Sequence, residues 1–173
     1  MEALIDFGKI LLPASIVLYA VYLMVRSFIA KEIELKKLEV RSRSIETILP
    51  VRLQAYERMT LFLERISPQN LLIRLNTPGL NARDFHKMLL DEIRNEYNHN
   101  VSQQVYMSED VWSRVKNAKE DLVLLINDAS SQVPADATSI DFAKRIFELA
   151  LEKKVDPIGH ALIEVKKEIQ QTF

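Results

Sequence analysis

No cysteine occurs among the 173 residues, which removes disulfides, thiol catalysis and cysteine-based metal sites together. Glycine is nearly as scarce: the three present stand apart, so no glycine-rich loop exists to cradle a phosphate. Three histidines, with no serine and aspartate grouped around them, leave nothing from which to build a hydrolase triad. Six prolines and three glycines are too few for a turn-rich β fold. No segment alternates apolar and polar residues long enough to make a strand, so the chain reads as all-α. An excess of one charge is missing too. From Ser44 onward sixteen basic residues face nineteen acidic ones, a local −3. Nucleic-acid affinity rests on neutralising phosphates, so no nucleic-acid partner is expected.

What is present is an uncharged run, ILLPASIVLYAVYLMV from Ile10 to Val25, closed by the flanking bases Lys9 and Arg26. Sixteen helical residues rise roughly 24 Å. Ser27 to Ala30 lengthen the run, and both flanking cations can snorkel outward, which suffices for a hydrocarbon core of about 30 Å. The run therefore predicts a transmembrane helix over 10–30 and makes the lipid bilayer the first partner. A buried helix of a water-soluble domain would carry a polar residue every three or four positions; only Ser15, Tyr19 and Tyr22 interrupt here. Pro13 falls in the first turns of the run, where a missing N–H costs least. Met1 to Gly8 holds Glu2 and Asp6 and no base, and no small-x-small cleavage site follows, so the segment is expected to stay rather than be removed as a signal. One base precedes the run and six follow closely: Arg26, Lys31, Lys36, Lys37, Arg41 and Arg43. Positive charge resists translocation, which places residues 1–9 outside as a short tail and the C-terminal body in the cytoplasm.

Residues 31–49 alternate charges without a helix breaker and predict a helical stalk. A seven-residue frame puts Phe28, Leu35, Leu38, Ile45 and Leu49 on one seam, with Lys31 and Ser42 as the two misfits. Intramolecular packing of this seam is the preferred reading, and a homodimer through the stalk is the alternative. Pro50 predicts a kink or restart, opening a helical domain over 50–173. Leu49, Leu53, Tyr56, Met59, Leu63 and Ile66 share one face of its first helix. Ser67-Pro68 signals an N-cap with proline behind it, and Asn76 to Gly79 a turn. Asn81, Ser108, Thr138 and Asp156 each precede a further amphipathic helix, with residues 98–107 expected as a polar loop. For the helix after Thr138 the inward face is expected to be Ile140, Ala143, Ile146, Phe147, Ala150 and Leu151. The expected architecture is one transmembrane helix, a charged stalk and a compact bundle of five or six helices.

Glu96 and His99 share a helical face, as in carboxylate-bridged metal bundles, but such sites need two of these motifs and further inward carboxylates. Only one exists here, so no metal, cofactor or catalytic residue is assigned; a metal-binding or enzymatic bundle using Glu96 and His99 remains the alternative. Glu57 and Arg58 recur seven residues later as Glu64 and Arg65. With Arg52 they form a charged face, which is the expected partner surface, or else the 98–107 loop with a half-buried Trp112 supplies it.

The stretch LPVRLQAYERMTLFLERISPQNLLIRL, Leu49 to Leu75, resembles a small uncharacterised family of single-span bacterial membrane proteins with a helical cytoplasmic domain. The resemblance implies the layout of anchor, charged stalk and helical body in a cell inner membrane, and it carries no activity and no catalytic residues. The function expected is that of a non-enzymatic scaffold or accessory subunit of an inner-membrane complex, recruiting a protein partner.

Overall fold

The computed structural model describes the backbone of residues 1–172, and side chains other than those of residues 2–8, 10, 44 and 172. The side chains of Glu2, Asp6 and Ile10, used above, lie outside the described residues. Six α-helices account for the fold: α1 Glu2–Ile66, α2 Pro68–Leu75, α3 Ala82–Asn100, α4 Glu109–Ser131, α5 Ser139–Lys153 and α6 Pro157–Thr172. A 3-10 helix, Val101–Tyr106, joins α3 to α4. One isolated antiparallel bridge, Asn81 with Thr138, is the sole β pairing among the described residues. The chain divides into two units, Met1–Leu49 and Pro50–Phe173.

The first unit is α1 up to Leu49. α1 is long and apolar enough to cross a membrane. Because it begins at Glu2, Pro13 lies inside the helix rather than in its first turn. A membrane helix tolerates this, since neighbouring groups re-satisfy the freed carbonyl. Every described side chain from Leu11 to Ile48 is exposed, so nothing in its own unit covers the stalk seam. The preference for intramolecular packing is corrected on that point. The expected restart at Pro50 is not seen either, because one helix runs from Glu2 to Ile66. Proline costs a helix one N–H bond and some crowding, and the turns on either side still hold theirs.

In the second unit the last turns of α1 bury Tyr56, Met59, Phe62, Leu63 and Ile66, while Leu53, expected inside, is exposed. α4 packs against α3, α5 and α6. Its buried stripe is Val111, Val115, Ala118, Leu122, Leu125, Ile126 and Ala129, as its spacing predicts, with Trp112 added. The caps explain where the helices start. Asn81 Oδ1 accepts from Asp84 N at 2.8 Å, Ser108 Oγ from Val111 N at 3.3 Å, and Thr138 Oγ1 from Asp141 N at 3.2 Å. Asp156 Oδ1 accepts from Gly159 N at 2.9 Å. A Cβ at position 159 would meet that carboxylate where it now lies, so a larger residue there would make the Asp156 side chain shift. Ser67 stands at the N-cap of α2 with Pro68 behind it, as expected, but its side chain makes no cap. Its hydroxyl donates back to Glu64 O at 2.8 Å, and Asn70 Nδ2 donates to the same carbonyl at 2.9 Å. It therefore seals the end of α1 instead of capping α2.

The bridge ties the starts of α3 and α5 together. Ala82 N donates to Ala137 O at 2.8 Å and Ser139 N to Leu80 O at 3.0 Å. Buried Ser139 also donates from Oγ to Asn76 Oδ1 at 2.7 Å. Fixing Ser139 inward sets the rotation of α5. Positions 142, 146 and 149 follow it on one face, and Phe142, Ile146 and Leu149 are the buried residues. Of the face read from the sequence, Ile146 is buried and Ala143 and Ala150 pack against the core, while Ile140, Phe147 and Leu151 are exposed, which corrects it there. The segment after α3 is also tighter than a loop. Val101 and Met107 both pack against the core, six residues apart, which two turns of a three-residue helix satisfy.

Candidate partner surface

The charged face of α1 splits once its partners are traced. Arg52 is held by its own chain: Nε donates to Tyr106 O at 3.3 Å and Nη2 to Tyr56 Oη at 3.2 Å. Arg65 is likewise engaged, with Nε 2.5 Å from Glu96 Oε1 and Nη2 3.9 Å from Glu92, which also pairs with Arg74 at 2.5 Å. Glu57, Arg58 and Glu64 are exposed. Trp112 leaves the set. It is 8% exposed and stacks on the Tyr97 ring at 5.9 Å between centroids, with Lys119 Nζ 4.5 Å from the Tyr97 ring centre. An indole in that position serves the core, not a partner.

Two residues not picked out from the sequence complete the surface. Leu61 is 54% and Ile73 72% exposed. With Glu64, Arg65, Asn70 and Arg74 they line an open depression of about 320 Å³. Leu61 lies three or four residues from Glu57, Arg58, Glu64 and Arg65, so one turn of helix brings all four charges around it. An apolar centre with a charged rim is the usual anatomy of a protein contact. The signal was present in the helical wheel, where Leu61 stands opposite Tyr56, Met59, Phe62 and Ile66.

A second cluster joins three elements beside Arg52. The Glu168 carboxylate on α6 accepts from the Tyr56 hydroxyl, from Ser108 N at 2.9 Å and from Ser108 Oγ at 2.6 Å. Partial burial alone would push the Glu168 carboxyl up. Hydrogen bonds from Ser108 and Tyr56, helped by the Arg52 charge, outweigh it and hold the group below the usual glutamate range. Burial first, then the bond to Glu168, pushes the Tyr56 phenol up, and Arg52 opposes this in part. The cluster is a structural clasp between α1, the start of α4 and α6.

Glu96 and His99 are not brought to one centre. Glu96 faces Arg65, and His99 Nδ1 lies 2.8 Å from Asn95 O. Among the described residues no group of three or more histidine, aspartate or glutamate side chains is placed to hold a metal ion. His86 Nε2 lies 2.8 Å from Asn127 Oδ1 and its ring is edge-on to Phe142. A larger depression, about 470 Å³, lies between α4 and α6 and is lined by Arg114, Asp121, His160, Glu164 and Lys167 among others. Three of its charges are already matched, Arg114 with Asp110 at 3.0 Å and Lys167 with Glu164 at 2.8 Å.

Residues 2–172 match a family of unknown function (DUF7935). The chain belongs to that family. The expected membership of an uncharacterised family is thereby met, and DUF7935 takes in the apolar helix and the helical domain alike. Membership of DUF7935 assigns no activity to the clasp, to Leu61 and Ile73, or to the groove between α4 and α6. No curated protein and no solved structure matches the chain.

Proposed function

We propose that the chain is a single-span membrane protein whose helical domain lies in the cytoplasm and docks on a protein partner in or beside a bacterial inner membrane. The observation that carries this reading is the run of exposed apolar side chains on α1, including Leu11, Leu12, Ile16, Val17, Leu18, Val21, Met24, Val25, Phe28 and Ile29. At about 25 cal/mol per Å² of apolar surface, so continuous a set strongly favours transfer out of water. Lys9 precedes it and Arg26 lies near its end, and the bases that follow argue for the cytoplasmic side. Anchoring confines the domain to the bilayer surface and raises its effective concentration for neighbours there, which is the service a scaffold supplies. The docking centre is Leu61 with Ile73, rimmed by Glu57, Arg58 and Glu64. The alternative of metal or catalytic chemistry at Glu96 and His99 has less support, because Glu96 is already held by Arg65.

Three measurements on native membranes test the reading. Alkaline carbonate should leave the chain in the pellet, and protease added outside intact cells should spare the C-terminal domain. A photo-crosslinker in place of Leu61 or Ile73 should trap a discrete heteromeric adduct that one at exposed Leu151 does not. Extraction by carbonate, or loss of the C-terminal domain to external protease, would refute the membrane part. Equal labelling from all three positions would refute the docking surface.

A further inference from the structure

The seam runs from the end of the apolar run into the stalk as an apolar stripe that nothing in its own unit covers. Phe28 is 68% exposed, Leu35 and Leu38 each 58%, and Ile45 53%. These residues and Leu49 occupy five of the seven core positions of three consecutive heptads, over about 33 Å of helix. We propose that residues 28–49 pair with the same residues of a second copy as a parallel, in-register, two-stranded coiled coil. The proposal rests on the anchoring read above. Two copies inserted in one membrane with the same orientation present their stalks side by side, pointing the same way and starting at the same height.

Charge selects the occupant. In the parallel arrangement, core residue Lys31 packs beside Glu32 of the second copy, so the first misfit of the frame is neutralised where it stands. Arg41 faces Glu46 of the second copy across the flank of the seam, another opposite pair. Two like contacts arise: Lys31 against Lys31 across the seam, which the adjacent Glu32 carboxylates offset, and Glu34 against Glu39 of the second copy. Glu39 is already bound to Arg43 of its own helix at 2.8 Å, which offsets its charge. Antiparallel pairing would set the flanking column Glu32, Glu39 and Glu46 against itself, which is repulsive along its whole length. Ser42, the second misfit, is small and leaves room at its layer. The other apolar residues of the stalk, Ile29, Ile33 and Val40, lie off the seam; Ile33 and Val40 occupy its outermost heptad position.

The absence of native cysteine makes the test direct. Single cysteines are introduced at successive positions from 28 to 49 of the full-length chain, and native membranes are oxidised mildly. A disulfide needs Cα atoms about 4.4–6.8 Å apart, a spacing that only the core layers of such a coil supply. Leu35→Cys, Leu38→Cys and Ile45→Cys should form disulfide dimers several-fold more efficiently than Ile33→Cys, Lys37→Cys or Val40→Cys. Adding Leu35→Lys and Leu38→Lys to the Ile45→Cys chain should remove most of its dimer. A flat profile, a maximum at Ile33 and Val40, or dimer that survives the lysines would overturn the proposal. Carbonate extraction of the same membranes separates the two readings. Chain that stays in the pellet without a periodic profile sinks the coiled coil alone, and chain that is extracted sinks both.

Discussion

The clasp around Glu168 can be measured with a double-mutant cycle. Tyr56 is fully buried, and its hydroxyl donates to Glu168 while accepting from Arg52 at 3.2 Å. Removing the hydroxyl with Tyr56→Phe takes away one bond to a charged acceptor, about 1.5 kcal/mol at the low end of the range because Glu168 is partly solvated. Glu168→Ala takes away that bond and both from Ser108, and leaves a buried phenol without an acceptor, about 3 kcal/mol together. In the double variant no phenol is left to orphan, so the expected loss stays at about 3 kcal/mol and the coupling is about 1.5 kcal/mol. The assay uses the only tryptophan in the chain. Trp112 is stacked in the core of the helical domain, so its fluorescence reports unfolding of that unit while a detergent micelle holds the apolar helix. With a urea slope of about 2 kcal/mol/M, Tyr56→Phe should lower the midpoint by about 0.75 M in the wild-type background and by almost nothing in the Glu168→Ala background. Equal shifts in both backgrounds would show that the contact contributes nothing.

Two further outcomes are expected. On α5, Phe142→Ala should cost about 3–5 kcal/mol, because the ring is fully buried edge-on to Phe85. Phe147→Ala, at a position 41% exposed, should cost well under half of that, and the reverse order in urea titrations would place the inward face where the sequence alone put it. Acid should weaken the domain through Glu168. Its folded-state carboxyl is held low, so the stability it contributes is present above the unfolded glutamate value of about 4.3 and is lost as pH falls through the lower folded value. Glu168→Gln should therefore show a smaller fall in urea midpoint between pH 7 and pH 3 than the parent chain, and identical falls would rule Glu168 out as a source.

The features legible in the sequence are those set by neighbours a few residues away. Asn81, Ser108, Thr138 and Asp156 cap helices because a short polar side chain reaches the third amide ahead of it. The α4 stripe was readable because a single apolar face repeats along the whole helix. α5 was not, because its sequence carries two stripes of similar strength. Ile140, Phe147 and Leu151 compete with Phe142, Ile146 and Leu149, and the choice is made by Ser139, which is fixed through Leu80 and Asn76 from about sixty residues away. The start of α2 at Ser67-Pro68 was legible, but the Ser67 hydroxyl makes no cap, for a related reason: the carbonyl it serves belongs to the preceding helix. Of the candidate partner surface, the exposed charges Glu57, Arg58 and Glu64 were picked out from spacing. Arg52 and Trp112 turned inward because Tyr106 and Tyr97 reach them from other elements, and Arg65, though exposed, is engaged by Glu96. Leu61 and Ile73 were overlooked because a search for charge passes over apolar residues on a polar face.

The Asn81–Thr138 bridge also has a bearing on motion. The amides of Ala82 and Ser139 sit where two connecting segments meet, with exposed Pro78, Gly79 and Asp136 close by. Each is nonetheless locked to a carbonyl of the other segment. Their hydrogens should exchange with solvent as slowly as those in mid-helix, since freeing either one means separating α3 from α5. Neither connection can then serve as a hinge, and the α2–α3 and α4–α5 hairpins should respond to a pull or a binding event as a single block.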